Sequence, residues 1–202
     1  MSPPFPAPVV IAVDKKHESC GKEQISQSLL VSSDGFLQNA VVSLEGTFDG
    51  AHFAEPAATP VLDQKNCHFA PHILLVSKNQ TFQVSNSDSM AHDVRIFDGA
   101  EMFIRFEMDA FAPPVEKKIE KNGRFVIRCG LHKWMHAFAI VTEHPFYAVT
   151  DDRGRFRIAG VPAGKYRFRI WHEKLGEAEK EVDLVAPVHD FAFTFPPIDK
   201  GA

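Results

Sequence analysis

Cys129-Gly130-Leu131-His132-Lys133-Trp134-Met135 gathers a thiol, an imidazole and a thioether into seven residues. An alternating apolar run, Phe125-Val126-Ile127-Arg128, leads into it, and a second, Ala137 to Thr142, follows. Strand, tight loop, strand is an arrangement that can aim several side chains at one point. Two imidazoles and a thiolate in a plane, with a weak axial thioether, form the donor set of copper electron-transfer sites. The missing imidazole comes from upstream, where His92 follows Asn86-Ser87-Asp88-Ser89-Met90-Ala91 between two apparent strands. His92, Cys129, His132 and Met135 are therefore the candidate ligands, for one copper per chain.

The chain of 202 residues can bury a real core as one large domain or two small ones, and 45% hydrophobic with 24% charged residues is an ordinary globular composition. A formal net charge of -4 argues against nonspecific nucleic-acid binding, which wants a basic face. No apolar run is long enough to span a bilayer. Met1 to Val13 is rich in Pro and has no basic stretch, so it does not read as an intact signal peptide, and an exported protein would have lost its signal. Cysteines occur at 20, 67 and 129. One reading pairs Cys20 with Cys67 and leaves Cys129 for metal; the other leaves three buried thiols. Closing that loop would contribute about 4 kcal/mol in the chain-entropy model, and a disulfide implies the periplasm or the cell exterior.

Short alternating segments separated by turn dipeptides predict an all-β fold. Strands are expected at 28–32, 40–45, 72–76, 81–85, 94–97, 101–106, 115–120, 124–128 and 137–142. Asp98-Gly99 and Asn122-Gly123 read as hairpin turns, the latter the stronger signal. Residues 47–66 read as a long surface loop tied at its end by Cys67. The composition changes at Glu143-His144-Pro145, after which strands are expected at 146–150, 155–158, 166–171, 177–184 and 189–195. The expected organisation is an extended segment 1–22, a copper domain 23–143 and a small β-sandwich 144–202, with the last two packed together.

Residues 70 to 142 resemble the cupredoxins, the plastocyanin-like blue copper proteins. The Cys129-x-x-His132-x-x-Met135 loop has the short spacing of amicyanin, and Met90-Ala91-His92-Asp93-Val94 is similar to the family's ligand strand, with Ala91 and Asp93 as departures. The resemblance implies a Greek-key β-sandwich holding one type 1 copper through His92, Cys129, His132 and Met135, with His132 near the surface as the electron exit. Asn86 and Trp134 are expected behind the ligands, Trp134 shielding the site. Residues 148–166, with Asp151-Asp152-Arg153-Gly154 and Gly160-Val161-Pro162-Ala163-Gly164, resemble the carboxypeptidase regulatory-like, transthyretin-like sandwiches, a pattern that encodes turns.

Other residues carry blander expectations. His136 neighbours Met135 but should face the opposite way. His72 reads as structural or on the surface, His68 as exposed, and His172-Glu173 as a surface pair. Met102 and Met108 read as core, and Lys117, Lys118 and Lys121 as a solvated face. The leading function is a one-electron carrier that serves a cytochrome or a periplasmic oxidoreductase and is not an enzyme. Copper delivery and a β-sandwich interaction module are the alternatives. No His-x-His pair supports a multicopper oxidase, and no hydrolytic or phosphoryl-transfer motif is present.

Overall fold

The computed structural model describes residues 5–46, 48, 53, 58–185 and 191–195. In chain order these form β1 (Val10–Ala12), a 3-10 helix (Lys15–Cys20), β2 (Glu23–Ile25), β3 (Val41–Glu45), β4 (Val61–Lys65), β5 (His68–Ala70), β6 (Ile73–Ser77) and β7 (Thr81–Asn86). They continue with β8 (His92–Asp98), β9 (Glu101–Met108), β10 (Val115–Lys118), β11 (Gly123–Cys129), β12 (His136–Thr142), β13 (Tyr147–Val149), β14 (Gly164–His172) and β15 (Gly176–Leu184). The all-β class expected from the sequence is what folds. No helix among the described residues is long and apolar enough to cross a membrane.

The chain divides into two compact units. One comprises Val9–Gln27 and Phe53–His144; the other comprises Met1–Pro8, Ser28–His52 and Pro145–Ala202. The sequence reading assigned all of 23–143 to one domain. Residues 28–52 instead join the later segment, because β3 pairs with β13 on one side and β14 on the other. That unit carries a four-stranded antiparallel sheet in the order β13-β3-β14-β15.

The first unit holds a four-stranded and a five-stranded sheet, ordered β10-β7-β4-β5 and β6-β12-β11-β8-β9. Period-two burial along the strands supplies the core. Leu62, Phe82, Val84, Val94, Ile96, Phe125 and Ile127 are all but inaccessible to solvent. A two-stranded ribbon, β1 with β2, flanks the 3-10 helix, so the described part of the expected extended segment, residues 5–22, is not simply extended.

Several expected elements changed for local physical reasons. Residues 61–65, read as loop, form β4, flanked by β7 and β5. Its alternation is hidden by a polar residue facing inward: fully buried Gln64 donates from Nε2 to the Ser85 carbonyl at 3.1 Å and to Met108 Sδ at 3.2 Å. Asn122-Gly123 does not close a hairpin. β10 pairs with β7 while β11 pairs with β12 and β8, so this turn passes the chain from one sheet to the other. Asp98-Gly99 does join paired strands, with Asp98 opposite Glu101. Residues 28–32 supply only an isolated bridge, Val31 to Leu37. Residues 155–158 and 191–195 are not strands, although Phe191 stacks on Phe168 with centroids 4.8 Å apart. His189 and Asp190 lie outside the described residues. Met108 is buried, but Met102 is 45% exposed, not core.

Candidate metal centre

β11 ends at Cys129 and β12 begins at His136, so Gly130 to Met135 span the mouth of two neighbouring strands. The loop closes on itself: the Cys129 amide donates to the Met135 carbonyl at 3.1 Å, and the Met135 amide to the His132 carbonyl at 3.0 Å. Gly130 is required by close approach, since a Cβ there would collide with the Asp93 carboxylate and the Arg95 guanidinium. Its amide donates to the Asp93 carbonyl at 2.8 Å, pinning the loop to β8. Burial alone would raise the Asp93 pKa, but hydrogen bonds from Arg105 and Arg95 hold it below the ordinary carboxylate value. Gly130→Ala should therefore cost about 1–3 kcal/mol, typical of overpacking, which urea unfolding of the variant measures.

His92 opens β8 and is wholly buried. Three donor atoms face one another: His92 Nδ1 and Cys129 Sγ at 3.7 Å, His132 Nδ1 and Cys129 Sγ at 3.5 Å, and the two Nδ1 atoms at 3.1 Å. A trigonal ion with bonds of about 2.0–2.1 Å to nitrogen and about 2.3 Å to sulfur, the lengths found in zinc sites, requires edges near 3.5 Å and 3.8 Å. The three atoms thus already stand close to where a shared ion would hold them. Met135, 1% exposed, lies in the same core cluster as Cys129.

The neighbours of this triangle were not all legible beforehand. His92 Nε2 donates to Asp88 Oδ2 at 3.0 Å, which leaves the Nδ1 lone pair directed at Cys129. Asp88 is itself held by the amides of Asn66 at 2.6 Å and Cys67 at 2.9 Å. These two residues form the β4–β5 turn with φ of 55° and 58°, so consecutive N–H groups converge on one carboxylate. The same turn accepts the Trp134 indole N–H at the Cys67 carbonyl, 3.1 Å away, and bonds Cys67 to Cys20 as a disulfide. Cys129 is the free thiol, as the pairing reading expected. Asn86 does not touch the triangle. Its Nδ2 donates to the carbonyls of Met90 at 2.8 Å and Asp109 at 2.7 Å, and its Oδ1 accepts from the Asp88 amide, bracing the segment that carries Asp88.

His132 is not at the surface. It is 3% exposed, covered by His17 at a ring-centroid distance of 4.8 Å and by Trp134 at 5.3 Å. The cause is the 3-10 helix, capped by Asp14 accepting from the Lys16 amide and tethered by the Cys20 disulfide. His72, also buried, and His136 stack edge to face at 5.0 Å as a pair separate from the triangle, consistent with Met135 and His136 facing opposite ways. His68 is half-buried, and burial followed by repulsion from His72 lowers its pKa.

Desolvation is also the largest influence on the imidazoles of His92 and His132. It lowers His92 despite the opposing hydrogen bond that His92 donates to Asp88. Together with repulsion from His92 and His17, it pushes His132 down to about 4. Both rings are therefore neutral and able to ligate at neutral pH. In the metal-free protein the unfolded chain takes up protons at His near pH 6.5 while the native state resists them, so the unfolded state binds more protons and stability falls with falling pH. Denaturant midpoints of the apoprotein should decline from about pH 6.5 toward about pH 4, with a smaller decline in His132→Asn. A flat profile over that range would contradict the desolvated ligand pair.

No known family model matches the chain, and neither does any curated protein sequence. Among solved structures it is similar to amicyanin from Paracoccus versutus, at 19% identity over 43% of this chain and 83% of that one, with a TM-score of 0.38. It is also similar to a purple cupredoxin from Nitrosopumilus maritimus, at 19% identity over 42% of this chain and 98% of that one, TM-score 0.35. A copper-containing nitrite reductase from Thermus scotoductus SA-01 matches at 21% identity over 48% of this chain and 25% of that one, TM-score 0.38. These likenesses concern the chain path over about half of the molecule; the reading of the site rests on its own geometry.

Proposed function

We propose that this chain is an exported type 1 copper protein that carries single electrons between redox partners. The observation that supports this most is the buried His92, Cys129 and His132 triangle, whose edges approach those of one trigonal ion. Copper, when bound there, supplies a one-electron couple. The chain's own contribution is to hold the donors in one arrangement: Asp88 fixes the His92 ring, the Gly130 amide fixes the loop, and His17 and Trp134 exclude water. Met135 completes the set as a weak axial donor, so Met135→Leu should retain copper while raising the reduction potential, as voltammetry would show. A fully buried, ligand-filled centre offers a substrate no place, which favours a carrier over an enzyme. The Cys20–Cys67 disulfide supports an oxidising compartment, the periplasm or the cell exterior, where a cytochrome or an oxidoreductase would be the partner. The separate four-stranded unit, with the Asp151 carboxylate accepting from the Arg153 and Arg155 amides in its 151–155 turn, is proposed as a transthyretin-like module.

Copper delivery uses the same donors but requires easy exchange. The two readings separate on addition of Cu(II) to the apoprotein. Intense visible absorption at one metal per chain with reversible cycling supports the carrier. A colourless site that holds only Cu(I) and yields it readily to a chelator supports delivery instead.

A further inference from the structure

A second group of soft donors lies outside the triangle. Met90 Sδ is 3.4 Å from Cys20 Sγ and 3.4 Å from Cys67 Sγ, so three sulfur atoms from distant parts of the chain meet at one point. They line a cavity of about 470 Å³ whose wall also includes Asp88 and the 68% exposed Phe111. As a cystine, two of these sulfurs carry no charge to offer a metal. As thiolates beside a thioether, they form an all-sulfur set that selects Cu(I).

We propose that on reduction of the Cys20–Cys67 disulfide, Cys20, Cys67 and Met90 form a second, Cu(I)-binding site distinct from the His92–Cys129–His132 centre. The reductant is a dithiol, of small-molecule or protein class. One of its thiolates attacks Cys20 Sγ, which is 7% exposed against 1% for Cys67. The Cys20–Cys67 bond breaks, Cys67 leaves as a thiolate, and the second thiol of the reductant resolves the mixed disulfide. The dithiol ends as a disulfide and the chain holds two thiols. Cu(I) then displaces one proton from each thiol and does not itself change oxidation state.

The geometry favours this reading over a purely structural cystine with a packed Met. A trigonal ion with sulfur bonds of about 2.3 Å places its sulfurs about 4 Å apart, and Met90 Sδ already stands near that distance from both partners. The two Cys Cα atoms are 5.7 Å apart, which allows side-chain rotation alone to separate the thiolates. The opening above the sulfurs gives both reductant and ion a path that avoids the covered His132. Asp88 stands between the two centres, lining this cavity with one face of its segment and orienting His92 with its carboxylate.

The test compares the full-length chain with its disulfide intact and after reduction by a phosphine, titrating each anaerobically with Cu(I) against a chromogenic Cu(I) chelator. Reduction should raise the bound Cu(I) by one per chain. In the reduced state Met90→Leu should weaken that added ion by about tenfold or more, the range for loss of a supporting metal contact, and Cys67→Ser should abolish it. X-ray absorption of reduced Cys129→Ser loaded with a single Cu(I) per chain should show sulfur neighbours only, since the substitution weakens the competing triangle. An unchanged stoichiometry overturns the proposal, as does an added ion that survives both substitutions. So does a reduced chain that loses its β-sheet dichroism and does not regain it with Cu(I). Failure of the carrier reading is distinct: the intact disulfide form would then bind no copper at its triangle, or only colourless, readily exchanged Cu(I), whatever reduction adds.

Discussion

On the proposed ligand assignment, Cys129→Ser will bind Cu(II) without the intense visible absorption expected of the parent protein. The band needs a covalent thiolate, and Cys129 is the free thiol among the described residues. A serine hydroxyl is close in size and stays protonated, so the loop should keep its backbone bonds while its hard oxygen donor binds copper poorly. Affinity should fall by more than the about 10- to 100-fold that changes behind the ligands cost. Far-ultraviolet dichroism should remain that of the parent, which separates loss of the site from loss of the fold. A variant that retains full colour would remove Cys129 from the metal.

Asp88→Asn should produce the second largest effect, although residue 88 touches no metal. The carboxylate accepts the His92 Nε2 proton and so keeps Nδ1 unprotonated toward Cys129. An amide there can turn its NH₂ toward Nε2, which then accepts and moves the ring proton to Nδ1, blocking the ligating atom. Copper affinity should drop about 10- to 100-fold, the usual cost of losing a residue that orients a ligand histidine. In either orientation one buried donor loses its acceptor, at about 1–3 kcal/mol: the Cys67 amide when the NH₂ takes the place of Oδ2 beside His92, and the Asn66 amide when it takes the place of Oδ1. Chelator competition distinguishes the two orientations, because the ring proton moves only when the NH₂ faces His92, while denaturant unfolding reads the lost acceptor in both. Unchanged values in both measurements would show that Asp88 does not set the His92 tautomer.

The legible part of the site was the part written in one loop. Cys129, His132 and Met135 state their chemistry by residue type and spacing, and His92 by standing where a strand begins. Asp88 left a weak signal, a carboxylate four residues before a candidate ligand, but its role depends on the Asn66-Cys67 turn reaching it from another strand. His17 left none, because its place over His132 is made by a tether forty-seven residues long in sequence. The fold shows the same division. Alternation located most strands, whereas β4 escaped because Gln64 is buried and polar. Asn122-Gly123 misled because a turn motif specifies local backbone and not which sheet receives the next strand. The membership of β3 with β14 is a long-range pairing that no window of sequence contains.

The stacking of His17 on His132 sets a tempo as well as a cover. If the centre carries electrons as proposed, the bonded route would end at the inner imidazole, and the outer ring stands at a centroid distance of 4.8 Å. Leaving requires a jump through space into a ring whose side chain is only 24% exposed. Under the proposed carrier function, small diffusible oxidants would find the centre insulated, and a protein acceptor would need a surface that fits around the 3-10 helix. Discrimination between acceptors is thereby built into the distance the electron must leap.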